Sequence, residues 1–149
     1  EVPVIDVNEA IVASGYHLTN NYLSGIEVNT SKTNLENKLK TIYTGLTVTS
    51  LKDKYGNNKN DALATGDVVT ISNSKDTKEY KVVIYGDNNG DGNTSIIDLL
   101  RCQKYLLGNN NLSDAELIAS DVDRDGLITV VDLLRIQKSL LGYSKIEQK

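Results

Sequence analysis

Residues 86–108 have the sequence GDNNGDGNTSIIDLLRCQKYLLG, and residues 120–142 have the sequence SDVDRDGLITVVDLLRIQKSLLG. Each stretch surrounds glycines with acidic and amide residues and then changes at once to an apolar helical pattern. When the chain is shifted by 34 positions, residues 87–108 align with residues 121–142, and 12 of the 22 positions are identical. Two copies are too few for a solenoid. The repeat therefore indicates a pair of units related by an approximate twofold axis.

Each copy places oxygen-bearing side chains at positions 1, 3, 5 and 12 of a loop. Ca²⁺ takes about six to eight oxygen ligands, and a 12-residue loop supplies them with this spacing, a glycine at position 6 and a main-chain carbonyl at position 7. Position 12 carries Asp where such loops usually carry a bidentate Glu. The shorter Asp side chain must either draw the helix closer to the ion or bind the ion through one oxygen only. The predicted ligands of two calcium ions are Asp87, Asn89, Asp91, Asn93 and Asp98 in the first loop, and Asp121, Asp123, Asp125, Leu127 and Asp132 in the second.

A simpler interpretation of both loops is a pair of Asx-rich turns, because Asp, Asn and Gly occur in turns of many kinds. The complete spacing occurs twice, however, and each loop leads into a matched helix, which favours calcium sites. Two Ca²⁺ ions would also offset the formal net charge of −4. Folding of this half is therefore predicted to depend on calcium.

Three helices are predicted in the second half of the chain. Capping boxes begin them at residues 95–98, 113–116 and 129–132. In the first helix, Leu99, Cys102, Leu106 and Leu107 predict an apolar stripe, and Ile136 takes the place of Cys102 in the last helix. The first loop follows the strand-like sequence KVVIY, so the first unit is predicted to be half of an EF-hand-like unit.

Paired loops of this pattern, each followed by a Leu-Leu helix that ends near position 22, resemble a dockerin. The resemblance covers residues 86–143. Dockerins are non-catalytic, calcium-dependent modules that bind cohesins, joining enzymes to scaffoldins or scaffoldins to the cell surface in cellulosome-type complexes that degrade plant polysaccharides. The resemblance implies a cohesin as partner, and a parent protein that is secreted, extracellular and associated with the cell surface.

The resemblance also implies that partner contacts lie at loop positions 10 and 11, at helix positions 17 and 18, and near position 22. Type I dockerins often carry a hydroxyl pair at positions 10 and 11, whereas this chain carries Ile-Ile and Val-Val, which resemble type II or divergent dockerins. These aliphatic residues could instead belong to the core, but adjacent helical residues point about 100° apart, so at least one of each pair is predicted to be exposed. The implied contacts are Ile96, Ile97, Gln103, Lys104, Gly108, Val130, Val131, Gln137, Lys138 and Gly142.

Residues 1–85 are predicted to form a small β-rich module, so that the fold class is α+β with an all-α dockerin over residues 86–149. One helix is predicted from a capping box at residues 33–36, with Leu35, Leu39 and Ile42 on one face. Strands are predicted at residues 16–26 and 46–51, with a hairpin at residues 67–72 and 79–85. The module is similar to the X modules that precede type II dockerins. The absence of a Gly/Ser or Pro linker near residue 86 predicts that the two parts are rigidly docked.

Composition argues against several other functions. The acidic net charge of −4 disfavours a nucleic-acid binder, and no apolar run is long enough to insert in a membrane. The single His17 and single Cys102 have no catalytic partners beside them, so no enzyme is predicted. The absence of Trp and Phe disfavours a sugar platform in the first module. The start lacks signal-peptide features, so either no signal peptide was present or the sequence is a mature or excised piece, and the excised piece is favoured. An alternative function remains: a calcium-stabilised structural module of a bacterial surface protein without a cohesin partner.

Overall fold

The computed structural model describes residues 3–109 and 111–149, which form an α+β structure. The first half contains the five strands and two helices, and the second half contains three helices. In chain order the elements are α1 (Val7–Ala13), β1 (His17–Thr19), β2 (Tyr22–Ser24), α2 (Lys32–Lys40), β3 (Thr47–Lys52), β4 (Val68–Ser72), β5 (Thr77–Val82), α3 (Ile96–Leu106), α4 (Asp114–Ser120) and α5 (Val130–Leu140).

The five strands form one sheet in the order β1-β2-β5-β4-β3. Neighbouring strands are antiparallel, except that β2 and β5 are parallel, with Leu23 opposite Val82. Strands β4 and β5 form the predicted hairpin, in which Val69 is opposite Tyr80. Strand β5 ends at Val82 and not at residue 85. The chain then leaves the sheet and enters the first acidic loop.

One large apolar core lies in the first half, between the sheet and helices α1 and α2. It consists of 17 buried residues, including Ile11, Leu35, Leu39, Val69 and Tyr80. Alternation along β4 follows the two faces of the sheet, since Val69 and Ile71 are buried while their neighbours are partly exposed. This core gives the first half its own basis for stability.

Two features of the first half differ from the sequence prediction. The predicted strand over residues 16–26 is a hairpin of β1 and β2, because Asn20 has φ of +56° and reverses the chain. Asn tolerates this left-handed conformation better than other residues with a Cβ atom. Helix α1 was not predicted. Asp6 caps it by accepting a hydrogen bond from the Glu9 N–H, and the helix buries Ile11.

Helix α2 begins two residues earlier than the predicted capping box. Ser31 is the N-cap, and its hydroxyl accepts the Asn34 N–H at 3.1 Å. Glu36, predicted to complete the box, instead accepts the Val48 N–H of strand β3 at 2.7 Å. The Glu36 carboxylate therefore forms a tertiary hydrogen bond to the sheet and does not cap its own helix.

The second half packs around a small core. Cys102 of α3, Val122 of the second loop and Ile136 of α5 are buried, with Leu99 and Leu133 partly buried beside them. Burial raises the pKa of the Cys102 thiol to about 11, so this residue serves as an apolar side chain. The three predicted helices are present, and their predicted capping boxes are all formed.

The predicted apolar stripe of α3 is wrong at its C-terminal end. Leu99 and Cys102 face the core as predicted, but Leu106 is 37% exposed and Leu107 is 68% exposed. Leu141, which matches Leu107 in the repeat, is also exposed. These exposed residues lie at the C-terminal ends of α3 and α5, after the buried Cys102 and Ile136. No helix in the described ranges, 3–109 and 111–149, combines the length and apolar character that a bilayer span requires.

The C-terminal segment returns to the junction between the two halves. The Gln148 side chain is buried, accepts the Tyr85 N–H at 2.8 Å and donates to the Tyr85 carbonyl at 2.9 Å. Ile146 lies beside Gly86 and joins the small core of the second half. This segment therefore joins the end of the chain to the entrance of the first loop.

Replacement Gln148→Ala is expected to destabilise the protein by about 2 kcal/mol, because two partly buried main-chain groups of Tyr85 lose their partners. For a chain of this size the melting temperature is expected to fall by about 5 °C, measured by circular dichroism. Glu147→Ala is the matched control, because that neighbouring side chain is exposed. Equal melting temperatures for the two variants would contradict the assigned role of Gln148.

Candidate metal centres and interaction surface

The first acidic loop brings three of its predicted ligands together. One carboxylate oxygen each from Asp87, Asp91 and Asp98 lies within 4.8 Å of the other two. Main-chain N–H groups at loop positions 4, 5 and 6 donate to the two oxygens of Asp87 at 2.9–3.0 Å. Asp98 accepts the N–H groups of positions 2, 3 and 9 at 2.8–3.1 Å. The loop therefore curls around its first and last carboxylates.

The second loop repeats this arrangement with four carboxylates. Oxygens of Asp121, Asp123, Asp125 and Asp132 lie within 4.8 Å of one another. Asp121 accepts the position 6 N–H at 2.9 Å, and Asp132 accepts those of positions 3 and 9 at 3.1 and 2.8 Å. In both loops the position 12 Asp also completes the capping box of the following helix. The end of each loop and the start of its helix are thus fixed by one side chain.

The remaining predicted ligands lie in the same loops. Asn89 at position 3 donates from its side-chain amide to Asp91 Oδ2 at 3.1 Å. Asn93 and Leu127 at position 7, predicted to act through their carbonyls, donate their N–H groups to the position 5 carboxylates at 2.9 and 3.0 Å. The position 6 glycines before them have φ of +87° and +92°, as the predicted turn requires.

The donor chemistry of both loops fits a hard divalent cation. All the clustered side-chain donors are oxygens, which Ca²⁺ prefers. In addition, Asp121 Oδ1 is buried and has no hydrogen-bond partner among the described residues. A buried polar atom without a partner is costly, and a cation at this position would satisfy it. The residues that would hold calcium are the predicted ligands of each loop, and the ion would neutralise their charge.

Burial and mutual repulsion disfavour the ionised carboxylates in the metal-free loops. Burial raises the pKa of Asp87 to about 6, and it raises the pKa of Asp121 to about 6 as well. Burial also raises the pKa values of Asp98 and Asp132. A bound divalent cation stabilises the ionised forms and reverses this effect. The loops are therefore arranged so that their charge is stable when metal is present.

Three residues outside the predicted ligand set, Thr65, Lys54 and Arg101, contact the first loop, and Glu116 links two of them. The Thr65 N–H donates to Asp87 Oδ2 at 3.0 Å, and Lys54 Nζ donates to the Asn89 carbonyl at 2.9 Å. Glu116 of α4 lies between two cations, 3.5 Å from Lys54 and 3.0 Å from Arg101. These contacts join residues far apart in sequence, so no local spacing could have revealed them.

All ten residues implied as partner contacts are solvent-exposed. The aliphatic pairs are the most informative, since Ile96 and Ile97 are 58% and 51% exposed, and Val130 and Val131 are 59% and 44% exposed. Both members of each pair face solvent, so the alternative that they form the core is wrong. The polar residues at positions 17 and 18 and the glycines at position 22 lie further along the same two units.

Two further leucines extend the exposed apolar surface. Leu100 and Leu134, at position 14 of each unit, are 45% and 46% exposed. They follow positions 10 and 11 by three or four residues and therefore lie on the same helical face. The sequence analysis named neither leucine, because the resemblance implied contacts only at positions 10, 11, 17, 18 and 22. Each helix thus presents an apolar stripe formed by positions 10, 11 and 14.

Residues 85–141 match the family model of the dockerin type I domain. Dockerin domains bind calcium and, in general, bind cohesins in a calcium-dependent manner as non-catalytic interaction modules. Proteins that carry them are typically extracellular or associated with the cell surface. No curated protein and no solved structure matches the chain.

Proposed function

We propose that this chain is an adhesion module that docks its parent protein onto a cohesin when calcium fills both loops. The main support for this proposal is that each carboxylate cluster leads directly into a helix. The aliphatic pair at positions 10 and 11 of that helix and the leucine at position 14 are exposed. Exposed apolar surface of this kind, next to polar residues, is typical of protein interaction sites. The parent would thereby be anchored to a scaffoldin or to the cell surface in a cellulosome-type, polysaccharide-degrading complex outside the cell.

The proposal also assigns separate roles to the two parts of the chain. Residues 86–149 would form the dockerin, with two EF-hand-like calcium units, and residues 1–85 an X-module-like domain that supports it. The apolar pairs favour a type II-like or divergent recognition mode, although the matching family model is that of the type I domain. The position 12 Asp residues, at the starts of α3 and α5, link each calcium loop to the helix that would meet the partner.

The similarity of the two units, which are identical at 12 of 22 aligned positions, supports binding through either helix. The stripes on α3 and α5 have matching positions and similar exposure, for example 58% for Ile96 and 59% for Val130. A cohesin that recognises one stripe would find an equivalent surface after rotation of the chain by about half a turn. The partner contacts would then be positions 10, 11, 17, 18 and 22 of whichever unit is engaged.

A titration against a panel of type I and type II cohesins tests the proposal. With calcium in excess, at least one cohesin is expected to bind, and chelator is expected to abolish that binding. Isothermal titration calorimetry gives both the affinity and the stoichiometry. If the calcium-loaded chain binds no cohesin in a broad panel, the alternative of a structural calcium module without this partner is supported instead.

A further inference from the structure

The first loop lies against the segment between β3 and β4, and this contact is close. A Cβ atom added at Gly90, position 4 of the loop, would lie 2.7 Å from the Thr65 carbonyl oxygen. The Thr65 N–H donates to Asp87 at 3.0 Å, and both groups are buried. The Thr65 hydroxyl in turn bonds the N–H and carbonyl of Ile84 at 3.0 and 3.1 Å. The segment is thereby held at the entrance of the first loop.

The second loop has a different environment at the same position. Position 4 is Arg124, which has φ of +60°, close to the +77° of Gly90. The two loops therefore follow a similar backbone path, and the left-handed conformation alone does not require glycine. Arg124 is exposed, whereas any side chain at Gly90 would collide with Thr65. The difference between the repeats at position 4 thus follows from the segment that covers the first loop.

Two cations fasten the same loop to the rest of the molecule. Lys54 donates to the position 3 carbonyl at 2.9 Å, and Arg101 Nε donates to the position 2 carbonyl at 3.2 Å. Both also pair with the nearly buried carboxylate of Glu116. Arg135, which matches Arg101 in the repeat, is exposed, and no salt bridge joins it to another described residue. The network is therefore specific to the first loop.

We propose that Lys54 and Thr65 are positioning residues of the first calcium site. Calcium binding by the first loop and docking of residues 54–66 against it then form one coupled equilibrium, while the second loop binds independently of that segment. When the metal is absent, the crowded carboxylates of Asp87, Asp91 and Asp98 repel one another and the loop changes conformation. Thr65 and Lys54 then lose their hydrogen-bond acceptors, which are the Asp87 carboxylate and the Asn89 carbonyl. By linkage, the docked segment raises calcium affinity by the same factor by which calcium favours docking.

The test isolates each site in turn. Asp125→Ala weakens the second loop so that calorimetry reports the first, and Asp91→Ala weakens the first so that calorimetry reports the second. The variants Lys54→Met and Thr65→Val are combined in both backgrounds. Together they remove the Lys54 ammonium group and the Thr65 hydroxyl that bonds Ile84, while the side-chain volumes stay similar. Lys52→Met is the matched control, since Lys52 is exposed in β3 of the same region.

We expect the Lys54→Met/Thr65→Val pair to weaken calcium binding by the first loop about tenfold, as loss of residues that orient metal ligands commonly does. Binding by the second loop is expected to change less than about twofold, and Lys52→Met is expected to change neither. Equal weakening of both sites, or no change in either, overturns the proposal.

Hydrogen exchange supplies a second readout that does not depend on side-chain replacement. In the Asp125→Ala background, calcium is expected to slow exchange of the Thr65 N–H, whereas in the Asp91→Ala background it is expected to have little effect. Equal exchange with and without calcium in the first background overturns the proposal. Neither measurement uses a cohesin, so failure here is distinct from failure of the proposed docking function.

Discussion

Excess chelator is expected to unfold the helical half of the chain while the five-stranded sheet stays folded. The helical half buries three residues in its own core around Cys102, compared with 17 in the core of the first half. A core that small supplies little stability, so a module of this size commonly depends on metal. In addition, the carboxylates within 4.8 Å of one another repel when no cation lies between them.

The expected size of the effect follows from linkage. At free calcium about a thousandfold above the dissociation constant, each site contributes about 4 kcal/mol, so two sites contribute about 8 kcal/mol. A folded segment of about 60 residues has a total stability of only about 3–9 kcal/mol. Removal of both ions is therefore expected to abolish the stability of α3 and α5.

Far-UV circular dichroism with and without chelator provides the measurement. Helical signal is expected to fall on chelation and to return when excess calcium is added. Magnesium at the same concentration is the control for ionic strength. An unchanged spectrum and an unchanged melting curve after complete calcium removal would contradict the predicted dependence on metal.

Simultaneous replacement of Ile96, Ile97, Val130 and Val131 by Asp is expected to abolish cohesin binding. These four residues occupy positions 10 and 11 of both stripes and are each 44–59% exposed. Burying carboxylates against an apolar partner surface costs several kcal/mol. A loss of at least about 3 kcal/mol, or about 100-fold in affinity, is expected for the fourfold variant. If either helix can bind, replacement of one pair leaves binding through the other.

Two controls separate loss of the surface from loss of the fold. Asp is favourable near a helix N-terminus, so the fourfold variant is expected to keep its helices. Its circular dichroism and calcium binding should therefore match those of the unmodified chain. Val4→Asp combined with Val12→Asp places charges on exposed aliphatic residues of the first half and is expected to leave binding unchanged. Cohesin binding by the fourfold variant at full affinity would show that the stripes are not the docking surface.

Local patterns predicted much of the fold. Capping boxes at residues 95–98 and 129–132 placed the starts of α3 and α5, and the predicted hairpin over residues 67–72 and 79–85 placed β4 and most of β5. The failures arose where tertiary contacts override local preference. Glu36 bonds to strand β3 and not to its own helix cap, and Leu107, predicted to lie on the apolar stripe, is 68% exposed at the end of α3.

At the candidate site, too, the sequence predicted the local pattern but not the tertiary contacts. The spacing of Asp87, Asp91 and Asp98 identified a cluster that the structure brings together. Lys54 and Thr65 contact the same loop, at Asn89 and Asp87, from more than 20 residues away, so no periodicity could reveal them. One signal was present in the sequence, namely that the repeat carries glycine at residue 90 and arginine at residue 124. The Thr65 carbonyl, 2.7 Å from a Cβ atom placed at residue 90, explains the glycine, and the sequence does not show that contact.

Calorimetric titration of the metal-free chain with calcium tests most directly the central claim that both acidic loops are cation sites. The expected stoichiometry is two ions per chain, falling to one in Asp91→Ala and to one in Asp125→Ala. If the unmodified chain takes up no calcium, or if the two variants still bind two ions, then the loops are turns and not metal centres, and calcium-dependent docking through α3 and α5 is wrong.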